Sequence, residues 1–409
     1  MGTRTGVKLN KNNRLRLGLD VPMLLIVAFL VVFGMLIVYS ASWEASWREF
    51  ADVNHYFLRQ LTLLGLGLVV AVILYFIDYH RLEENHFALY GILGAIFLLL
   101  VGYVVGEDPR SLLERRSIQP SELAKLATVI YLGVWLYAKG DKLKQVGFGI
   151  LPLAVILGFV GGLIAIQPDL SAASTVFALG LLMFFLVGGS FWQIFVFVVI
   201  AGGFGGGLVA LVKPDALGRI IDFWNGLFDL TATPPQVNAA ISAFKAGGWF
   251  GVGPGRGIAK LVLLPVPHTD SIFAVVGEEI GVFGAVILVI IYALFLWRGL
   301  VIAQKAEDGL GTVLAVGLTL WIVFEAYVNM AVIIGLLPVA GNPLPFISLG
   351  GSNLLVTLAA VGIILNIGRS SKKESEQLER RAFGEVVGLR GRNGRRSVSS
   401  SNRSSRTRK

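Results

Sequence analysis

The segment Leu263 to Glu279, LLPVPHTDSIFAVVGEE, sets one carboxylate, Asp270, where a long polar loop meets an apolar run. A charge at the edge of hydrocarbon is costly unless it is paired or used, so an ionisable residue there is a functional candidate by default. Within reach of a hydroxyl, such a carboxylate can act as a general base. His268 stands two residues before it, and Glu278 and Glu279 follow inside the run. The His268 and Asp270 spacing also admits a metal site, although a lone His beside an Asp is more commonly a capping or hydrogen-bonded group.

Three further constellations have comparable potential. In QPSELAK, Pro120 fits the first turn of a helix, and Glu122 and Lys125, three apart, share a face and can pair. That face is either a structural ion pair or, with Gln119, the lining of a polar cavity. In IQPDLS, Asp169 is placed to cap the helix that follows. In GLLPVAGNPLPFISLGGSN, residues 335–353, prolines and glycines break the helix, which is tolerated at membrane depth only against protein or a wet cavity. Ser348 and Ser352 there can donate to a phosphate or sugar, or satisfy freed backbone groups. The Gly-rich stretch SAFKAGGWFGVGPGRGIAK permits positive φ and close backbone approach, but no Gly-Lys-Ser/Thr follows, so it is not a nucleotide-binding P-loop.

The elements that must position these groups are membrane helices. Of 409 residues, 55% are hydrophobic and 15% charged. Apolar runs at 21–40, 61–77, 88–105, 120–137, 149–166, 172–188, 190–212, 272–297, 312–337 and 350–367 are close to the ~18 residues that cross a bilayer as a helix. They are continuously apolar rather than alternating, which excludes a membrane barrel. The expectation is one all-α bundle of about ten spans over residues 21–369, with a large extracellular loop at 213–271 between the seventh and eighth. Lys and Arg concentrate in the tails, which places both termini in the cytoplasm. Residues 1–20 form a basic N-terminus, with no small-residue cleavage site after the first run. Residues 370–409 end in an Arg/Ser-rich stretch expected to be disordered and drawn to anionic lipid rather than nucleic acid. With no cysteine in the chain, disulfides and thiolate chemistry are excluded.

VYSAS near the first run, QPSELAK, QPDL, the Gly-rich loop, LPVPHTDSIFAVVGEEIGVFGA and GLLPVAGNPLPFISLGGSN occur in that order. Together they resemble the SEDS family of shape, elongation, division and sporulation proteins, the FtsW, RodA and SpoVE group. The resemblance implies a peptidoglycan glycosyltransferase that polymerises lipid II into β-1,4 glycan strands on the outer face of the bacterial cytoplasmic membrane. It places the essential carboxylate at Asp270 and the family's Glu and Lys pair at Glu122 and Lys125. It places the family's loop Arg and Gln at Arg219 and Gln236. Arg219, Arg256 or Lys260 would neutralise the departing pyrophosphate, a role that a divalent cation such as Mg or Mn could share. The implied partners are a class B penicillin-binding protein and other membrane proteins of the division or elongation machinery. VYSAS and the basic tail lean toward the division member. The chain departs from the family at GEDPRSLLERRSI, which lacks the usual Trp but keeps Arg115 and Arg116, at Val266 in place of Glu, and at Ser171 in place of Gly. A lipid II flippase and a non-catalytic scaffold are the competing readings.

Overall fold

The computed structural model describes residues 19–84, 86–104, 119–167, 169–212, 214–229 and 233–370. The N-terminal cluster, the 106–118 loop with Arg115 and Arg116, and the tail beyond Ser370 lie outside the described residues. Helix covers each of the ten apolar runs. In chain order the helices are α1 (Val21–Phe50), α2 (His55–Phe76), α3 (Arg81–Glu84), α4 (Phe87–Val104) and α5 (Pro120–Lys139). Then come α6 (Ile150–Ile166), α7 (Leu170–Leu186), α8 (Phe191–Val212), α9 (Pro214–Phe228) and α10 (Pro235–Gly247). The last are α11 (Ala259–Val262), α12 (Ile272–Glu279), α13 (Gly281–Gln304), α14 (Gly309–Ile333) and α15 (Gly351–Ser370). This is an all-α integral membrane protein.

Local chemistry sets the helix starts. Asp20, Asp169 and Asp308 each cap a helix by accepting a backbone N–H, and proline occupies the first turn of α1, α5 and α10. The helices α14 and α15 form the enclosed centre, while α2 turns Leu66, Val69, Val72 and Ile73 outward toward lipid. Contact between α1 and the 344–349 segment depends on Gly34, where an added Cβ would lie 2.3 Å from the Phe346 carbonyl oxygen.

Two expectations need correction. The run at 272–297 is not one helix: it breaks between Glu279 and Gly281 into α12 and α13. The segment 213–271 is not mainly loop, because α9 and α10 occupy much of it and the Gly-rich stretch packs into the α12–α13 break. There Val252 and Gly253 donate to the Glu278 and Glu279 carbonyls (3.0 Å each), and Val282 and Phe283 donate to the Gly248 and Trp249 carbonyls (2.9 and 3.1 Å). The inserted strand of backbone thus replaces the helical bonds that the break removes. Gly281 makes this possible, with φ +83° and no room for a Cβ, which would meet Gly251 N at 2.4 Å. Gly281→Ala is therefore expected to destabilise the fold by about 2–5 kcal/mol, combining left-handed strain with overpacking. Thermal melting of the purified variant in detergent checks this, and wild-type stability would refute it.

Candidate functional site

Lys125 is buried on α5. Its ammonium donates to Glu122 Oε1 at 2.9 Å and to Glu325 on α14. Asn353 of α15 donates to the other Glu122 oxygen at 3.1 Å. Sequence reasoning found Glu122 and Lys125 by their spacing but missed Glu325, which lies 200 residues away in an apolar helix. The arrangement sets two carboxylates against one ammonium in a dry environment, and Glu325 Oε2 has no hydrogen-bond partner among the described residues. The ion pair ties α5, α14 and α15 together.

One turn further along α14, Asn329 shares the face of Glu325. Its side-chain amide donates to the Asp270 carbonyl at 2.8 Å and to the Asn342 carbonyl at 2.7 Å. The same two elements are joined again nearby. Ser348 Oγ donates to the Thr269 carbonyl at 2.6 Å and accepts from Leu344 N at 2.7 Å, and Leu349 N donates to the His268 carbonyl at 2.8 Å. These bonds fix the backbone on either side of Asp270, a partly exposed residue just before α12. Among the described residues the carboxylate receives only neutral donors: Thr269 Oγ1 at 3.1 Å and, from α10, Gln236 Nε2 at 3.5 Å. Gln236 also donates to Ser271 Oγ at 3.0 Å.

Other candidates are placed differently. Ser348 spends its hydroxyl on backbone, and so does Ser352, which accepts from Gln119 N at 2.7 Å. Asp169 caps α7 and accepts from Ser121 at 2.8 Å and Gln119 at 3.1 Å. Glu278 accepts from the backbone of Ile258 and Ala259. Glu279 accepts from Ser40 of the VYSAS segment, from Gly255 N, and from Lys260 Nζ at 2.6 Å. Lys260, expected to meet a pyrophosphate, is instead buried against Glu279 and Ser40. Arg219 on α9 and Arg256 in the Gly-rich turn are exposed. His268 stacks on Tyr56 with ring centroids 5.2 Å apart, and burial pushes its imidazole below the ordinary value, so it stays neutral near pH 7. Among the described residues, no three His, Cys, Asp or Glu side chains converge as a metal site would require.

The structure defines a helical membrane bundle in which Asp270 is presented from an irregular, hydrogen-bonded rim. The profile described as cell cycle protein, covering FtsW, RodA and SpoVE, matches residues 21–373, and the chain belongs to that family. It is 37% identical over 361 residues to a protein of Trichlorobacter lovleyi named "Probable peptidoglycan glycosyltransferase FtsW", covering 86% of this chain and 94% of that one. A Geobacter protein of the same name is 36% identical over 86% of this chain and 96% of its own length. Among solved structures, one described as "Structural coordination of polymerization and crosslinking by a peptidoglycan synthase complex" aligns with TM-score 0.69 and 27% identity, covering 86% of this chain and 98% of that one. The rod shape determining protein RodA of Thermus thermophilus aligns with TM-score 0.61 and 26% identity over 87% of this chain and 98% of that one.

The charge cluster gives an asymmetric prediction. Lys125→Met would leave two buried carboxylates with no cation and is expected to cost about 3–5 kcal/mol. Glu325→Gln keeps the shape while removing the excess negative charge, so its cost is expected to be far smaller. Comparison of melting temperatures and folded yields in detergent checks this. Equal losses would mean that the cluster's charge balance does not matter.

Proposed function

We propose that this chain is a peptidoglycan glycosyltransferase that polymerises lipid II on the outer face of the cytoplasmic membrane, with both termini inside. The observation that carries this reading is the contrast between Asp270 and the other acids that the sequence motifs single out. Asp169, Glu122, Glu278 and Glu279 are committed to caps, ion pairs or loop backbone. Asp270 is held in place through its backbone, is partly exposed and, among the described residues, meets no cation. A carboxylate held this way can take a proton. The family membership and the names of the relatives support the same activity.

In the proposed step, Asp270 accepts the proton of the sugar 4-hydroxyl of an incoming lipid II. The oxygen attacks the anomeric carbon of the growing strand's terminal muramic sugar. A β-1,4 bond forms with inversion, and the bond to polyprenyl pyrophosphate breaks, with the electron pair leaving on the phosphate oxygen. Arg219 and Arg256, both exposed, are the cations proposed to meet that charge. Lys260 is excluded from this role by its buried pairing with Glu279. Gln236 orients the Asp270 carboxylate. A class B penicillin-binding protein is the proposed partner that crosslinks the product, and the relatives' names favour a role in division.

Two substitutions test the reaction with purified protein and its cognate transpeptidase partner. Asp270→Asn and Asp270→Ala are expected to lower lipid II polymerisation by about 10²–10⁴-fold, the range of a general base, while leaving the melting temperature near wild type. Strand lengths on gels and partner co-purification are the readouts. Undiminished polymerisation would remove Asp270 from the reaction. Absence of polymerisation by every form, wild type included, would favour the flippase or scaffold reading.

A further inference from the structure

We propose that the Gly248–Ile258 turn is a re-entrant element that sinks Trp249 and Phe250 into the acyl chains of the leaflet on the Asp270 side of the membrane. The depth follows from α13. At the opposite end of that helix, Arg298 forms a two-bond ion pair with Asp20 at 2.6 and 2.8 Å, beside the exposed Trp297. A charge pair flanked by an exposed Trp marks a polar boundary. From Arg298 to Phe283 the helix rises about 22 Å, at ~1.5 Å per residue. The hydrocarbon core is ~30 Å thick, and tilt only shortens the rise, so Phe283 lies below the far boundary.

The turn is tied to that depth. Phe283 N donates to the Trp249 carbonyl at 3.1 Å, Val282 N donates to the Gly248 carbonyl at 2.9 Å, and the Phe250 and Phe283 rings are 6.4 Å apart. Trp249 and Phe250 are 72% and 83% exposed, and they continue the outward apolar band of Phe283, Val286 and Ile290 on a membrane-crossing helix. This continuity identifies lipid as what covers them.

Irregular backbone at that depth must have its polar groups satisfied by protein. The Gly251 N–H reaches the Gly247 carbonyl, and those of Val252 and Gly253 reach the α12 carbonyls. Those of Gly255, Ile258 and Ala259 end on the Glu279 and Glu278 carboxylates. The two buried glutamates and Lys260 thus let the Trp249–Phe250 side of the turn face hydrocarbon, while the exposed Arg256 lies on its other limb. The inference does not rest on the reaction proposed above.

The chain contains no cysteine, so single-cysteine variants need no prior removal. Phe250→Cys and Trp249→Cys would be labelled with a nitroxide in nanodiscs of phosphatidylcholine and phosphatidylglycerol. Collision with oxygen and with a water-soluble nickel chelate would then be measured. Leu36→Cys, on the lipid face of α1, is the hydrocarbon reference, and the exposed Lys142→Cys is the water reference. The expected result is an oxygen-to-nickel ratio at both positions close to that at Leu36 and several-fold above that at Lys142. A ratio matching Lys142 would overturn the proposal, and so would low collision with both reagents, which would mean that protein covers the turn. Because either position reports the depth, a misfolding variant at one leaves the other decisive.

Discussion

The site depends on an ammonium buried between two carboxylates. Lys125 joins Glu122 of its own helix to Glu325 of α14, and Glu122 is held from α15 by Asn353. Breaking such a pair costs more than making it gains, because the partner left behind is a buried charge. The three helices are therefore fixed in rotation and height relative to one another. That register puts Asn329, one turn along α14, where it can hold the Asp270 carbonyl. The interaction acts on the Asp270 backbone through the rigidity of one helix turn, without touching Asp270 itself.

Around this frame, most polar side chains are spent on backbone. Ser348, Ser352, Asn329 and Asp169 satisfy N–H and C=O groups exposed by helix ends and by the broken segment 334–350. Inside a membrane each such group would otherwise cost several kcal/mol. A polar residue near a site is thus weak evidence that it touches substrate. The hydroxyls of Ser348 and Ser352 could have met a phosphate by type alone, and their geometry shows where they go. Asp270 differs because its backbone is held while the residue remains partly exposed.

The sequence disclosed what local pattern can disclose. Continuous apolar runs marked the helices, because hydrocarbon length and hydrophobicity are properties of single segments. Three-residue spacing exposed the Glu122 and Lys125 face, and Asp169 before an apolar run indicated a cap. What stayed hidden was long-range. Glu325 and Asn329 sit inside a strongly apolar helix with no motif around them, and only packing brings them to Lys125 and Asp270. The pairing of Lys260 with Glu279 was equally invisible, since a Lys in a Gly-rich loop reads as free until its partner is found. The α12–α13 break was masked because 272–297 is apolar throughout, and hydropathy does not register which backbone carbonyls another segment will claim.

That break also explains why two glutamates are tolerated next to a membrane helix. Without the Gly-rich turn, Glu278 and Glu279 would be bare charges near hydrocarbon. Without the glutamates, the turn's amides would be unsatisfied at the same depth. Each removes the cost of the other, and the glycines at 251, 253 and 255, all with positive φ, let the backbone come close enough. Ser40 brings the C-terminal half of α1 into the same node, which gives the VYSAS segment a physical role. The chain leaves this node at Lys260 and reaches Asp270 ten residues later, where Ser348 and Asn329 take over its support. Asp270 is therefore braced from two directions, by the charge cluster through α14 and by the re-entrant turn through α12. Both constraints are needed to fix the carboxylate at one depth in the bilayer, since either alone would leave it free to tilt.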